Sequence, residues 1–159
     1  MAMKIYFAGP LFTPYERAYI SDCAVRLRAA GLEVFVPHEA GNNDEPDDRP
    51  LAKKIYDGDF GGVSGANAIL ALLSGTEVDD GTACEIGIFH GLRLTDPGKK
   101  GIIGLLDDWR IKGPDGEGKG MNLIVRGCIE EGGAIYATLE DCLKHLLRWQ
   151  DELTREGRL

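Results

Sequence analysis

The sequence predicts a single α/β domain over residues 1–159: a five-stranded parallel sheet with helices on both faces. Three observations carry this reading. Short apolar runs alternate with longer amphipathic ones along the chain, the pattern of repeated βαβ units. Glycine is abundant, at 22 residues, as many tight βα turns require. The run at 68–73 (AILALL) is apolar throughout, as a strand covered on both faces must be.

Taken in order, residues 4–8 (KIYFA) form the first strand, ended by Gly9-Pro10. A helix over 14–30 follows: Pro14 suits its first turn, Ala18, Cys23, Ala24 and Leu27 give its apolar face, and Gly31 closes it. The second strand is 33–36, stopped by Pro37, and the polar stretch 38–50 reads as a long loop. A helix over 51–64 is expected to turn Ile55, Phe60 and Val63 to the sheet. The third strand, 68–73, leads through 74–79 into a helix over 81–92. The fourth strand is 101–106, followed by a polar, Gly-rich loop over 107–120. A short helix over 121–131, a fifth strand at 134–137 and a last helix over 139–153 complete the chain. With right-handed crossovers, this succession predicts strand order 2-1-3-4-5, a flavodoxin or Rossmann-like arrangement. Ligands in such sheets bind outside the carboxyl ends of the strands, where the order reverses. The reversal falls between strands 1 and 3, so the chemistry is sought in 9–13, in 74–85 and after strand 4.

At 159 residues the chain can bury one substantial core. Acidic residues outnumber basic ones, 26 to 18, for a net charge of −8. That balance argues against a nucleic-acid groove or an anionic membrane as the main partner. It suits a soluble enzyme acting on a small, mostly neutral ligand. The four cysteines, Cys23, Cys84, Cys128 and Cys142, form no CxxC pair and are expected as reduced, mostly buried thiols. No leader or long apolar run is apparent, so a cytoplasmic protein is expected.

The segment after strand 3 reads VDDGTACEIG and holds Asp79, Asp80 and Glu85. Asp79 or Asp80 suits the N-cap of the next helix. Glu85 lies about one turn in, pointing back toward the strand ends, where the positive end of the helix is expected to keep it ionised. A positioned carboxylate is a candidate nucleophile for a sugar anomeric carbon; solvated acids around a helix cap are the competing reading. Asp59, in IYDGDFGGV with Asp57, stands in the C-terminal half of its helix, where a carboxylate is disfavoured and so more suggestive of function. Gly9 and Phe12 in the first loop, with Tyr6 before it, are candidates for lining a sugar or base. His38, after strand 2, is a further candidate for ligand contact.

Other chemistries lack their motifs. No GxGxxG or GxxxxGK[ST] occurs, which argues against NAD and ATP. No HExxH or zinc spacing is present. A response regulator needs an acidic pair after strand 1 and a Lys after strand 5; here strand 1 ends in Gly-Pro, and the first Lys beyond strand 5 is Lys144.

Four segments, in order, resemble the nucleoside 2-deoxyribosyltransferases over roughly residues 4–140: IYFAGPLF, IYDGDFGGVSGANAILALL, DDGTACEIG and GKGMNLIV. The third is similar to the family signature D-x-G-T-x-x-E-x-G and is the most specific. The segment at 38–43 and the charged tail after Arg148 show no family pattern. The resemblance implies a role for each matched position. Glu85 would be the nucleophile that forms a glycosyl-enzyme. Asp79 would hold a sugar hydroxyl, and Asp59 would contact the base and help protonate it. Tyr6 would orient the nucleophile. Asn122 would reach a neighbouring subunit's sugar pocket in a dimer or hexamer. The implied activity is base exchange on deoxynucleosides in nucleotide salvage, with no metal or redox cofactor. An N-glycosidase of nucleosides or nucleoside 5′-monophosphates, and a non-catalytic nucleotide-sensing domain, remain as alternatives.

Overall fold

A computed structural model describes residues 1–40, 50–112 and 120–159. Those parts of the two predicted polar loops that fall in 41–49 and 113–119 lie outside the described residues. The sheet has five parallel strands in the order β2-β1-β3-β4-β5. The strands are β1 (Lys4–Ala8), β2 (Glu33–Phe35), β3 (Ala68–Leu72), β4 (Ile102–Leu105) and β5 (Ala134–Tyr136). The helices are α1 (Pro14–Ala29), α2 (Leu51–Gly65), α3 (Asp80–Arg93), α4 (Trp109–Lys112), α5 (Leu123–Glu130) and α6 (Leu139–Arg155).

The helix starts follow local chemistry. Thr13 and Glu16 form a capping box at α1: Glu16 N donates to Thr13 Oγ1 at 3.2 Å, and Thr13 N donates to Glu16 Oε2 at 2.7 Å. Gly31, at φ +92°, ends the turn that follows α1. At the other end of α2, Lys99 Nζ donates to the carbonyls of Ser64 (2.6 Å) and Ala66 (2.8 Å), meeting acceptors the helix leaves open. No helix of the described residues is long and apolar enough to cross a membrane.

The pleat of β1 sorts its side chains between two cores. Ile5 and Phe7 pack with α1 and α6, while Tyr6 and Ala8 enter the core shared with α2, α3 and α5. That alternation decides which helices a polar group on β1 can meet. Tyr6 is buried on the face where α2 and α3 carry Asp59 and Glu85.

The structure corrects four expectations. Val63 faces the sheet, but Ile55 and Phe60 are 50% and 38% exposed. The reason is that α2 turns Gly62 toward Tyr6 and Phe35, and this close approach rotates the larger side chains outward. Of the thiols, Cys23 and Cys142 are buried, whereas Cys84 is exposed and Cys128 is half-buried. Cys128 still packs against the core shared by α2, α3 and α5, whereas Cys84 stands on the outer side of α3. Pro37–Glu39, expected as loop, is a 3-10 turn, and the loop after β4 contains the one-turn helix α4.

Candidate active site

The cluster is built around the Tyr6 phenol. Its ring stacks on Phe35 of the neighbouring strand, centroids 5.5 Å apart and planes 15° from parallel. Its hydroxyl donates to Glu85 Oε1 at 2.6 Å, a short charge-assisted bond. Asp59, on α2, is close enough to act on the same hydroxyl. Asp79 is the N-cap of α3. Its Oδ2 accepts from Thr82 N at 2.9 Å and from Thr82 Oγ1 at 3.1 Å. Of the two capping candidates, Asp79 takes the role, and it fixes the helix one and a half turns before Glu85.

Electrostatics in this cluster are set by burial. Glu85 is pushed up to about 7, first by desolvation and then by the carboxylates of Asp59 and Asp79. The Tyr6 hydrogen bond acts in the opposite direction and limits the rise. Burial thus works against the ionised form that the helix N-terminus favours at Glu85. Asp59 is also raised by burial, with Tyr6 again pulling it down. Burial and the two acids hold the Tyr6 phenol far above its ordinary range, so it remains a donor. The charged groups acting on Glu85 are themselves acids. Positive charge developing on a ligand here would therefore meet an uncompensated negative field in a water-poor setting.

The loops that carry these groups are tied together. Asp107, after β4, accepts from Ser74 Oγ at 2.9 Å and from Tyr19 Oη at 3.1 Å. Asp108 Oδ2 accepts from Gly75 N at 2.8 Å. The β3–α3 loop is thus fastened to the β4 end before it reaches Asp79. Sequence reasoning singled out the loop after strand 4 without naming these acids.

Other candidates lie further out. Phe12 is 76% exposed at the rim. Gly9 has a packing reason: a Cβ there would stand 2.9 Å from Ile20 Cδ1 and 3.1 Å from Leu72 Cβ. Asn122 is the N-cap of α5, its Oδ1 accepting from Ile124 N at 3.0 Å and Val125 N at 3.4 Å. It lines a cavity of about 460 Å³ together with Val78, Asp80, Ala83 and Met121. His38 Nε2 sits 3.0 Å from Ser21 Oγ on α1, paired there instead of with the acid cluster.

The sequence reading missed Gly62 and Phe35. Their signal was present. Gly61 and Gly62 are consecutive glycines inside a helix, each costing about 1 kcal/mol relative to Ala unless packing requires it.

A family model described as nucleoside 2-deoxyribosyltransferase matches residues 5–124. No curated relative matches the sequence. Among solved structures, a conserved protein from Enterococcus faecalis V583 is 25% identical, with 93% of this chain and 99% of that one covered and a TM-score of 0.78. A 2-deoxyribosyltransferase from Leishmania mexicana is 22% identical, with coverages of 92% and 97% and a TM-score of 0.64. A 2-deoxyribosyltransferase from Bacillus psychrosaccharolyticus is 21% identical, with coverages of 88% and 90% and a TM-score of 0.63. The family match starts in β1 and ends in α5, so it spans every element that carries the carboxylate cluster. The chain belongs to the nucleoside 2-deoxyribosyltransferase family.

Proposed function

We propose that the protein exchanges the base of a 2′-deoxynucleoside by double displacement, through a covalent ester between the sugar and Glu85. The observation that carries this is the 2.6 Å bond aiming a desolvated Glu85 from a buried Tyr6, within the family match. The Glu85 carboxylate attacks the anomeric carbon as the bond to the base breaks and its electron pair leaves with the base. Asp59 gives the departing ring nitrogen a proton or a hydrogen bond. An incoming base then attacks the same carbon and displaces Glu85, so configuration is retained. Tyr6 orients the nucleophile, and Asp79 holds a sugar hydroxyl. Gly9 and Phe12 line the substrate, with Asn122 completing a sugar pocket across a subunit boundary. The chemistry calls on no metal or redox cofactor, and nucleotide salvage in the cytoplasm is the setting it suits.

Two features support details of this reading. Arg17, the cation offered by the first turn of α1, donates Nη1 to the Leu11 carbonyl at 2.7 Å. That favours an uncharged nucleoside over a 5′-monophosphate. Leu51, Ile55, Tyr56 and Phe60 leave an outward apolar strip on α2, with Tyr56 and Phe60 stacked at 5.4 Å. Such a strip suits contact between subunits of a homo-oligomer, dimer or hexamer.

The test is incubation with a deoxynucleoside and a different free base, followed by chromatography. The exchanged nucleoside is the expected product. Absence of exchange across purine and pyrimidine deoxynucleosides would defeat the proposal, and free base released without acceptor would identify a hydrolase instead. Because Glu85 must be ionised to attack, kcat/KM should rise with pH through a midpoint near 7, about tenfold per unit on the acid side.

Asp79 has two separable jobs. Asp79→Ala should cost about 1 kcal/mol in urea denaturation by removing the α3 cap. Asp79→Ser keeps a capping oxygen and should recover that stability, but not the exchange rate. Equal recovery of both would reduce Asp79 to a cap.

A further inference from the structure

We infer that Gly62 is a positioning residue for Tyr6, and through it for Glu85: the missing side chain at 62 sets where the phenol can stand. This rests on the nucleophilic role proposed for Glu85 and extends it to a residue that touches neither substrate nor carboxylate.

A Cβ on Gly62 would lie 2.8 Å from Tyr6 Cε2, 2.9 Å from Tyr6 Cδ2 and 2.9 Å from Phe35 Cε1. Carbon atoms in packed interiors stand about 3.5–4.0 Å apart, so any side chain at 62 must displace both rings. The Tyr6 ring has little room to yield. Tyr6 is fully buried in β1, which is paired on both sides, and Phe35 stacks on it from β2. What can move is the tilt of the Tyr6 ring, and the clashing Cε2 is bonded to the carbon that carries the hydroxyl. The tilt is therefore delivered to the hydroxyl that holds Glu85 at 2.6 Å. Hydrogen bonds weaken steeply with distance and misalignment.

Gly61 supplies the contrast. It is the preceding residue of α2, and a Cβ there meets nothing within 4 Å. Both glycines are unfavourable for the helix, but one of them has a packing reason that ends on the nucleophile.

The readout is the titration of the Glu85 carboxyl carbon by NMR in protein labelled at glutamate, assigned with Glu85→Gln. Around Glu85 the acting groups are Tyr6, Asp59 and Asp79. Of these, only Tyr6 lowers its midpoint, so a displaced phenol moves the midpoint up. Gly62→Ala should raise it by about one unit and shift the acid limb of kcat/KM with it. Gly61→Ala should leave both in place. A folded Gly62→Ala with the wild-type midpoint overturns the inference. Should that variant not fold, Gly62→Ala with Phe35→Leu removes one of the two clashes and keeps the one against Tyr6. Its midpoint should lie above that of Phe35→Leu alone, and equality would overturn the inference. Titration needs no turnover. A wild-type protein inactive in base exchange would count against the proposed function, while the titration would still decide the positioning role.

Discussion

Glu85→Gln is expected to abolish base exchange, lowering the rate by on the order of 10³-fold or more, and at the same time to make the protein more stable above neutral pH. The loss of rate follows from removing the nucleophile while keeping its size, since an amide cannot form the glycosyl ester. The gain in stability follows from burial. The folded-state value of Glu85 is about 7, above its ordinary 4.5. Between those values the folded protein binds the proton that the unfolded chain has released, so stability falls as pH rises through the window. Above about 7 the ionised, desolvated carboxylate costs roughly 2 kcal/mol after discounting for its partial exposure. Gln carries no such charge and can still accept from the Tyr6 hydroxyl. Thermal melts should show Glu85→Gln above wild type by roughly 5 °C at pH 8, with the gap closing toward pH 5. A gap independent of pH would mean that Glu85 is not the group whose charge the fold opposes.

Gly133→Ala is expected to give the largest loss of stability, on the order of 3 kcal/mol or more. The residue sits just before β5, and a Cβ there would stand 1.7 Å from the Ile102 carbonyl oxygen and 3.0 Å from that of Ile129. Gly101 reciprocates from the entry to β4, where a Cβ would lie 2.0 Å from the Gly132 carbonyl oxygen. Both obstacles are backbone, so no rotamer change makes room. An added methyl must separate β5 from β4, which pair through Ile103, Gly104 and Leu105. Urea denaturation reads the effect, with Gly127→Ala as reference, because a Cβ at 127 in α5 meets nothing within 4 Å. If Gly133→Ala matched wild type, the two strand entries would have to be further apart than the structure places them.

The strands and their order could be read from the chain because each rests on local pattern. Ala68–Leu72 is apolar without break, and β1 alternates between two cores, so the sheet's interior and its two faces are encoded in short windows. Glu85 and Asp79 were readable because they share a few residues of one signature, and a helix cap is local chemistry. The orientation of α2 was not readable. Its apolar residues Ile55, Phe60 and Val63 suggest one buried face, yet of these only Val63 is buried, beside Gly62, because Tyr6 and Phe35 already fill the space between α2 and the sheet.

The amino-acid order by itself determined that this chain makes a parallel α/β sheet and that its acids gather where the strand order turns back. It did so because pleat, helix period and capping act over a few residues. What only the tertiary structure decided is how those acids behave. Asp59, Tyr6 and Glu85 come from β1 and two helices far apart along the chain, and their protons answer to the water excluded when these elements pack. Solvent exclusion is a property of the assembled core and has no counterpart in any short stretch of sequence, so it opposes the ionised form that the helix terminus alone favours for Glu85.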